Sequence, residues 1–248
     1  MAGHCRFESI MTRYFCHDHP DTLILETAVA DSRPGAVRLA ATPFHPGGGG
    51  QLADRGILRW QGGEARVTGF EAREDGYWHV LDQAAELQGP VEAVVDAGFR
   101  RMQTELHTGT HVLNALVFRR FDGALVTSAQ MNDDNTARMD FDLPEADNDR
   151  LRVLEAEMND IVRQDLGIRY RYVTIDEARA EPGLIRSRSV APPPDAEGGI
   201  RIVEIVGLDA QACSGTHLAS TGLSRPLKIL KIENKGRHNR RVRIGLVV

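Results

Sequence analysis

The chain has 248 residues, of which 42% are hydrophobic and 26% charged, and its formal net charge is −5. This composition is typical of a folded protein and argues against a disordered chain or one that attracts polyanions through its overall charge. No run approaches the roughly 18 apolar residues of a membrane-spanning helix, and three cysteines are too few for a disulfide framework. We therefore expect a cytoplasmic protein without a membrane or DNA partner.

The first part of the chain predicts β-strands. Short apolar runs separated by Gly, Asp and Pro turns lie at residues 22–27, 36–41, 57–60, 65–70 and 78–81. Strands at this spacing indicate a small barrel or sandwich, and we assign a β-barrel domain to residues 1–95. Residues 1–10, ahead of a plausible alternative start at Met11, are expected to be a disordered extension. Cys5 and Cys16 are expected to be free thiols.

A glycine-rich loop at residues 43–51 interrupts these strands with Gly47, Gly48, Gly49 and Gly50 in succession. Four glycines lose much chain entropy on folding, so they mark either a hairpin tip or a close backbone approach to a ligand. From the residues alone, the hairpin tip is the favoured interpretation.

The pattern changes near residue 96 to helical periodicity. A helix is predicted over residues 100–121, with an apolar face and a stripe that carries His107, His111 and Asn114. Gly109 within this helix costs about 1 kcal/mol relative to alanine, which a close approach by another chain or a ligand would explain.

The remaining elements predict a second domain over residues 96–248. A hairpin at 125–131 and 136–142 precedes a helix at 147–164, a strand at 169–173 and a short helix at 175–179. Residues 187–199, with three successive prolines, are expected to be a mobile loop. Strands at 200–205, 227–233 and 241–247 are expected to complete one antiparallel sheet. Helices on such a sheet make this an α+β protein.

Two short segments carry the strongest chemical signal. His107 and His111 are four residues apart, as are Cys213 and His217. On a helix, positions i and i+4 share one face, so each pair can reach a common ion. Three imidazoles and one thiolate suit tetrahedral zinc, and we predict one zinc ion per chain in the second domain.

The class of zinc site is not fixed by this spacing. A helical metallopeptidase motif needs a glutamate directly after the first histidine, where this chain has Thr108, so a peptidase of that type is not expected. Four protein ligands are usual in a structural zinc site, whereas a catalytic or substrate-binding site needs an open or exchangeable position. Both possibilities stay open.

The C-terminal stretch from Arg225 to Arg243 contains eight basic residues and one acidic residue, a local net charge of +7. Such a run is usually a solvated strand face. On an acidic protein it is also a candidate phosphate-binding patch.

Together these segments resemble the freestanding alanyl-tRNA editing proteins (AlaX) of the medium type. That family is related to the editing domain of alanyl-tRNA synthetase and to the threonyl/alanyl-tRNA synthetase second additional domain. The resemblance runs in order over nearly the whole chain from about residue 11, through residues 43–56, 100–116, 138–141, 205–222 and 228–236.

The resemblance implies a trans-editing hydrolase that cleaves serine or glycine from the 3′ acceptor end of tRNA(Ala). It places the family's zinc ligands at His107, His111, Cys213 and His217. It places the family's glycine-rich loop at residues 47–50, which include Gly48 and Gly49. It also places Thr127 in the amino-acid pocket. If the alignment with the family is shifted by one residue, Ser128 takes this place instead. The fold it implies is a barrel followed by the zinc-binding α+β domain.

Two rival hypotheses remain. In the first, the chain is a non-catalytic tRNA-binding module in which zinc only joins helix to sheet. In the second, it hydrolyses another mischarged aminoacyl-tRNA, because threonyl-type editing uses a similar pair of motifs.

Overall fold

The computed structural model describes residues 14–144, 148–181, 183–186, 195 and 198–247. The expectations for residues 1–10 and Cys5 lie outside these residues, as does most of the predicted loop at 187–199. A short helix, α1 (Phe15–Asp18), begins the described chain. Its Cys16 is free, as expected, but it is buried rather than solvated, and burial raises the pKa of its thiol to about 12.

The N-terminal strands close into a barrel in the order β1-β2-β5-β4-β3-β6. The barrel strands are β1 (Ile24–Arg33), β2 (Ala36–Leu39), β3 (Gly56–Trp60), β4 (Gly63–Arg73), β5 (Gly76–Leu81) and β6 (Pro90–Val95). Inward-facing Ala65 and Val67 are buried and alternate with exposed Arg66, the period of two expected for a strand with one solvated face. The predicted barrel is confirmed, and β6 is a strand that the sequence did not reveal.

A long central helix, α2 (Ala97–Arg120), follows the barrel directly. Asp96 caps its first turn by accepting a hydrogen bond from the Phe99 backbone N–H at 3.0 Å. A Cβ placed on Gly109 would lie 3.0 Å from Leu227 Cδ2. The glycine therefore allows close packing of the helix on the sheet of the same chain, and no other chain or ligand is needed to explain it.

The second half of the chain forms two sheets with four helical segments. These elements are β7 (Val126–Met131), β8 (Thr136–Asp142), α3 (Asn148–Arg152), α4 (Leu154–Gln164), β9 (Ile168–Thr174), α5 (Ile175–Ala180), β10 (Gly199–Ile205), β11 (Asp209–Ala212), a 3₁₀ turn (Thr221–Leu223), β12 (Leu227–Lys235) and β13 (Asn239–Leu246). One sheet has the order β12-β13-β8-β7 and packs on α2, whereas the other has the order β11-β10-β9.

The prediction of one completed sheet is therefore wrong. Strand β10 pairs along its full length with β9 on one side and through four residue pairs with β11 on the other. Both of its edges are occupied, so β12 and β13 pair with the hairpin β7-β8 instead. The helix predicted over residues 147–164 is divided at Val153, which keeps helical dihedral angles of φ −59° and ψ −27°.

Apolar side chains of α2, α4 and the four-stranded sheet form the larger core, and a separate core fills the barrel. No helix in the described ranges combines the length and apolarity needed to cross a membrane. The division into domains at residue 95 stays a prediction, although the last barrel strand ends at Val95.

His79 is a fully buried titratable group in the barrel. Its Nδ1 donates to the Val37 carbonyl oxygen at 3.2 Å, and its Nε2 therefore accepts from the Thr42 hydroxyl at 2.7 Å. Burial lowers the pKa of His79 to about 4, against the weaker opposing effect of the Val37 carbonyl.

We expect His79→Gln to reduce the acid sensitivity of folding. An unfolded-chain histidine has a pKa of about 6.5, so between about pH 6.5 and pH 4 unfolding takes up a proton at this site. The stability that neutral His79 contributes is complete above this window and is lost as the pH falls through it. The slope of the unfolding free energy against pH should therefore decrease by about 1.4 kcal/mol per pH unit at most.

Urea unfolding between pH 4.5 and 7 measures this slope for wild type, His79→Gln and the control His238→Gln, in which the histidine is exposed. The control should retain the wild-type slope. An unchanged slope in His79→Gln would contradict the prediction.

Candidate metal centre

The two His/Cys pairs meet at one point. His107 and His111 lie on successive turns of α2, and Cys213 and His217 belong to the segment after β11. One ligand atom from each of the four lies within 4.8 Å of all the others. Cys213 Sγ lies 3.4 Å from His107 Nε2 and 3.3 Å from His217 Nε2.

These separations fit a tetrahedral zinc ion. Zinc bonds of about 2.0–2.1 Å to nitrogen and about 2.3 Å to sulfur place the two ligand atoms about 3.5 Å apart at the tetrahedral angle. The observed separations are close to this value, so the four residues form a group that can hold a metal ion and whose donors suit zinc.

The electrostatic surroundings keep the imidazoles neutral. Burial lowers the pKa of His111 to about 4 and lowers the pKa of His107 and His217 well below 6.5, with a further decrease in both from neighbouring His111. Neutral imidazoles have a free lone pair for a metal. Burial raises the pKa of the Cys213 thiol, and Arg201 opposes this. Thiolate coordination to a metal would reverse the shift.

Gln51, at the end of the glycine-rich loop, orients the centre. Its buried Oε1 accepts from His107 Nδ1 at 2.8 Å and from the Thr216 backbone N–H at 2.9 Å, while its Nε2 donates to the Thr216 hydroxyl at 2.9 Å. The Gln51 acceptor fixes the proton on His107 Nδ1 and leaves Nε2 free to face Cys213. Sequence reasoning missed Gln51, whose position directly after Gly50 was the available signal.

Three buried side chains hold successive carbonyl groups of the Cys213–His217 segment. Arg201 donates to the carbonyl oxygens of Cys213 and Gly215 at 3.2 and 2.9 Å. His17 Nε2 and His45 Nε2 donate to the Ser214 carbonyl oxygen at 2.7 and 3.0 Å. The segment is therefore fixed by α1, by the loop before Gly47 and by β10, which lie far apart in sequence.

The glycine-rich loop packs beside this segment. Gly48 and Gln51 form an isolated antiparallel bridge, and all four glycines have positive φ. A Cβ on Gly49 would lie 3.8 Å from Ser214 Oγ, and one on Gly50 only 2.5 Å from the Ala129 carbonyl oxygen. The loop thus closely approaches β7 and the metal-binding segment. Roles for Gly48 and Gly49 in the reaction stay predictions.

Thr127 lies at the bulge where β7 pairs irregularly with β8. Its hydroxyl donates to the Asp140 carbonyl oxygen at 3.2 Å. The alternative residue, Ser128, instead lies next to Arg138, whose Nη1 is 3.4 Å from the Ser128 hydroxyl oxygen. A pocket role for either hydroxyl stays a prediction.

The basic C-terminal stretch is partly neutralised by acidic residues from elsewhere. Arg241 forms a bidentate ion pair with Asp140 of β8 at 2.7 Å, and Arg225 pairs with buried Glu105 of α2 at 2.7 Å. Exposed Lys231 and half-exposed Arg243 share Glu233, the one acidic residue already counted within the stretch. The local net charge of +7 therefore overstates the positive potential of this surface, because that count leaves out the acidic partners Asp140 and Glu105, which lie outside the stretch.

A chain of polar side chains runs beside the ligands. Asn114 Nδ2 donates to Gln211 Oε1 at 2.5 Å, and Gln211 Nε2 donates to Asp209 Oδ2 at 2.5 Å. Asp209 also forms a largely buried ion pair with Arg186 at 2.6 Å. Burial raises the pKa of Asp209, and Arg186 and Gln211 oppose the increase.

Comparisons with known proteins show the family of the chain. A family model described as the threonyl and alanyl tRNA synthetase second additional domain matches residues 200–243, which include Cys213 and His217. The alanyl-tRNA editing protein AlaX-M of Saccharolobus solfataricus is 34% identical over 210 residues, with 83% of this chain and 86% of that protein covered. AlaX-M of Methanosarcina barkeri is 33% identical over 219 residues, covering 85% and 88%.

Larger proteins also match this chain. The alanine–tRNA ligase of Methanopyrus kandleri is 36% identical over 197 residues, covering 78% of this chain but 21% of the ligase. The chain therefore spans about a fifth of the matched ligase and most of the matched editing proteins.

We expect Gly215→Ala to displace His107 and release the metal. A Cβ at this position would lie 1.9 Å from His107 Cε1 and 2.8 Å from Gln51 Oε1, so the ring has to move. Zinc per folded chain, measured by mass spectrometry of the metal, should decrease at least tenfold. Gly69→Ala is the matched control, because its Cβ would meet no atom within 4 Å. Full zinc content in folded Gly215→Ala would contradict this packing.

We expect Gln51→Leu to weaken zinc binding without unfolding the chain. Loss of the acceptor at His107 Nδ1 leaves the ring free to rotate or to change tautomer, and changes of this kind typically weaken metal binding by about 10–100-fold. Competition with a chromogenic chelator measures the affinity. Gln61→Leu, at an exposed position, should bind zinc like wild type. Equal affinity in Gln51→Leu would show that this hydrogen bond does not orient the ligand.

Proposed function

Because the chain belongs to the AlaX-M alanyl-tRNA editing proteins, we propose that it is a trans-editing hydrolase that removes serine or glycine from mischarged tRNA(Ala). The observation that carries the proposal is the convergence of His107, His111, Cys213 and His217 at one buried point beside the glycine-rich loop. In the reaction, water adds to the ester carbonyl carbon. The ribose oxygen of the terminal adenosine leaves with a proton, and free amino acid and tRNA result.

The four ligand residues would hold zinc, which when bound would help to position the 3′-terminal aminoacyl-adenosine. The protein's own residues hold this centre in one geometry. Gln51 keeps His107 in one tautomer, and Arg201 with His45 fixes the carbonyl groups between Cys213 and Gly215. A rigid centre of this kind holds the ester in one orientation toward the attacking water.

Selection of serine is assigned to Thr127. Its hydroxyl donates to the Asp140 carbonyl, which leaves the lone pairs of its oxygen able to accept a seryl hydroxyl. Alanine offers no such donor, and the half-buried Thr127 oxygen would then lose a partner, at a cost below the roughly 1–3 kcal/mol of a fully buried acceptor. Gly49, where a Cβ would lie 3.8 Å from Ser214 Oγ, and its neighbour Gly48 would leave room for the small amino acid. A second sieve is useful because an apolar synthetase pocket rejects an added hydroxyl poorly.

Exposed basic side chains near the C-terminus would bind the tRNA acceptor stem. Lys231 has 62% of its side chain exposed and Arg243 has 42%, even though each pairs with Glu233. Phosphate contacts from such residues should weaken with salt and contribute little sequence information.

We expect the protein to deacylate Ser-tRNA(Ala) or Gly-tRNA(Ala) while sparing Ala-tRNA(Ala). Cys213→Ala removes the only sulfur donor among the four ligands and should reduce the rate at least 100-fold. Release of labelled amino acid from each tRNA, with zinc-loaded protein and with the folded variant, measures the reaction.

Other outcomes separate the alternatives. Tight tRNA binding without hydrolysis of any of the three substrates would favour a zinc-stabilised binding module. Hydrolysis confined to a differently mischarged tRNA would keep the enzyme class and overturn the substrate assignment.

A further inference from the structure

Four side chains, Arg186, Asp209, Gln211 and Asn114, form a chain of polar contacts in which the donor and acceptor of each hydrogen bond are fixed. An ionised Asp209 carboxylate, held by Arg186, can only accept hydrogen bonds, so it must face the Gln211 amide NH₂. The Gln211 carbonyl oxygen then faces Asn114, which must donate its own NH₂. The charge on Asp209 thereby determines how both amides are oriented.

With the amides oriented in this way, one hydrogen-bond acceptor has no donor. The Asn114 side-chain oxygen, Oδ1, is fully buried and has no hydrogen-bond partner among the described residues. Buried polar atoms of native proteins are almost always paired, because an unpaired one costs about 1–3 kcal/mol. Arg186 Nε, at the other end of the chain, is also unpaired, but it lies in the ion pair with Asp209. The unpaired acceptor at the end nearest His111 therefore points to a donor that arrives from outside the protein.

The acceptor lies beside the metal centre. Asn114 follows His111 by three residues on α2, so the two side chains are neighbours on one helix face, with their Cβ atoms about 5–6 Å apart. Gln211 precedes Cys213 by two residues in an extended segment, so their side chains lie on the same side of it. The chain of amides therefore flanks the edge formed by His111 and Cys213.

We infer that Asn114 Oδ1 accepts a hydrogen bond from the α-amino group of the aminoacyl ester. The inference rests on the proposed function and adds a binding residue to it. Arg201 lies near His111, and a metal held by the four ligand residues would add positive charge. Both would favour the neutral amine over the ammonium form, which suits an uncharged acceptor. Because every aminoacyl ester has this amine, Asn114 orients the substrate without distinguishing serine from alanine.

The test uses tRNA(Ala) charged with serine and with 3-hydroxypropionate, which is serine without its amino group. Asn114→Leu should reduce kcat/KM for the seryl ester about tenfold or more and change the value for the des-amino ester less than about threefold. Binding of the corresponding non-hydrolysable 3′-amide analogues of adenosine, measured by calorimetry, should show the same difference. A purely structural role would affect both substrates equally.

Two variants guard against a folding defect. Asn114→Gln keeps both an amide donor for Gln211 and an acceptor oxygen and should retain a preference for the seryl ester, whereas Asn234→Leu changes an exposed asparagine and should leave both rates unchanged. Zinc content confirms an intact centre. Equal losses on both esters in zinc-loaded Asn114→Leu would overturn the inference while leaving the hydrolase intact. Failure of wild type to hydrolyse either ester would instead overturn the proposed function.

Discussion

The imidazole of His107 is the point on which the architecture depends. Its Nε2 faces Cys213, its Nδ1 binds Gln51, and its ring lies so close to Gly215 that no side chain fits between them. One ring thus joins the central helix, the loop between two barrel strands and the segment after β11. Burial lowers the pKa of His107 well below 6.5, so this position favours the neutral imidazole.

A buried ion pair supports this arrangement from the barrel side. Arg100 of α2 binds Asp54 with both partners almost fully buried, and it also donates to the Pro43 carbonyl oxygen at 2.8 Å. Asp54 accepts from the His45 backbone N–H at 2.6 Å. Both ends of the glycine-rich loop are therefore attached to the helix that carries His107 and His111. Such a pair contributes little net stability, since desolvation offsets much of the attraction, but it specifies one relative position of loop and helix.

The parts of this structure that follow from local pattern could be predicted from sequence. Strand alternation and helical periodicity gave most elements, and the spacing of His107, His111, Cys213 and His217 identified the centre that the fold assembles. Pairing between distant segments could not be predicted in the same way. No local pattern shows that residues 200–205 form a sheet with β9 rather than with β13. Gln51 and His17 were missed because each matters only through a contact with a residue 56 to 197 positions away.

The completeness of the ligand set bears on how the proposed selectivity would arise. Four protein donors suit a closed tetrahedral shell, and such a shell would offer little means of distinguishing serine from alanine by coordination. Discrimination then depends on hydrogen-bonding groups around the shell, and these are effective only if their orientation is fixed before substrate arrives. The carboxylate of Asp209 orients Gln211 and Asn114, and Gln51 orients His107. A small amino acid supplies few contacts of its own, so this pre-orientation would hold the part common to every aminoacyl ester, and the proposed discrimination would fall to Thr127.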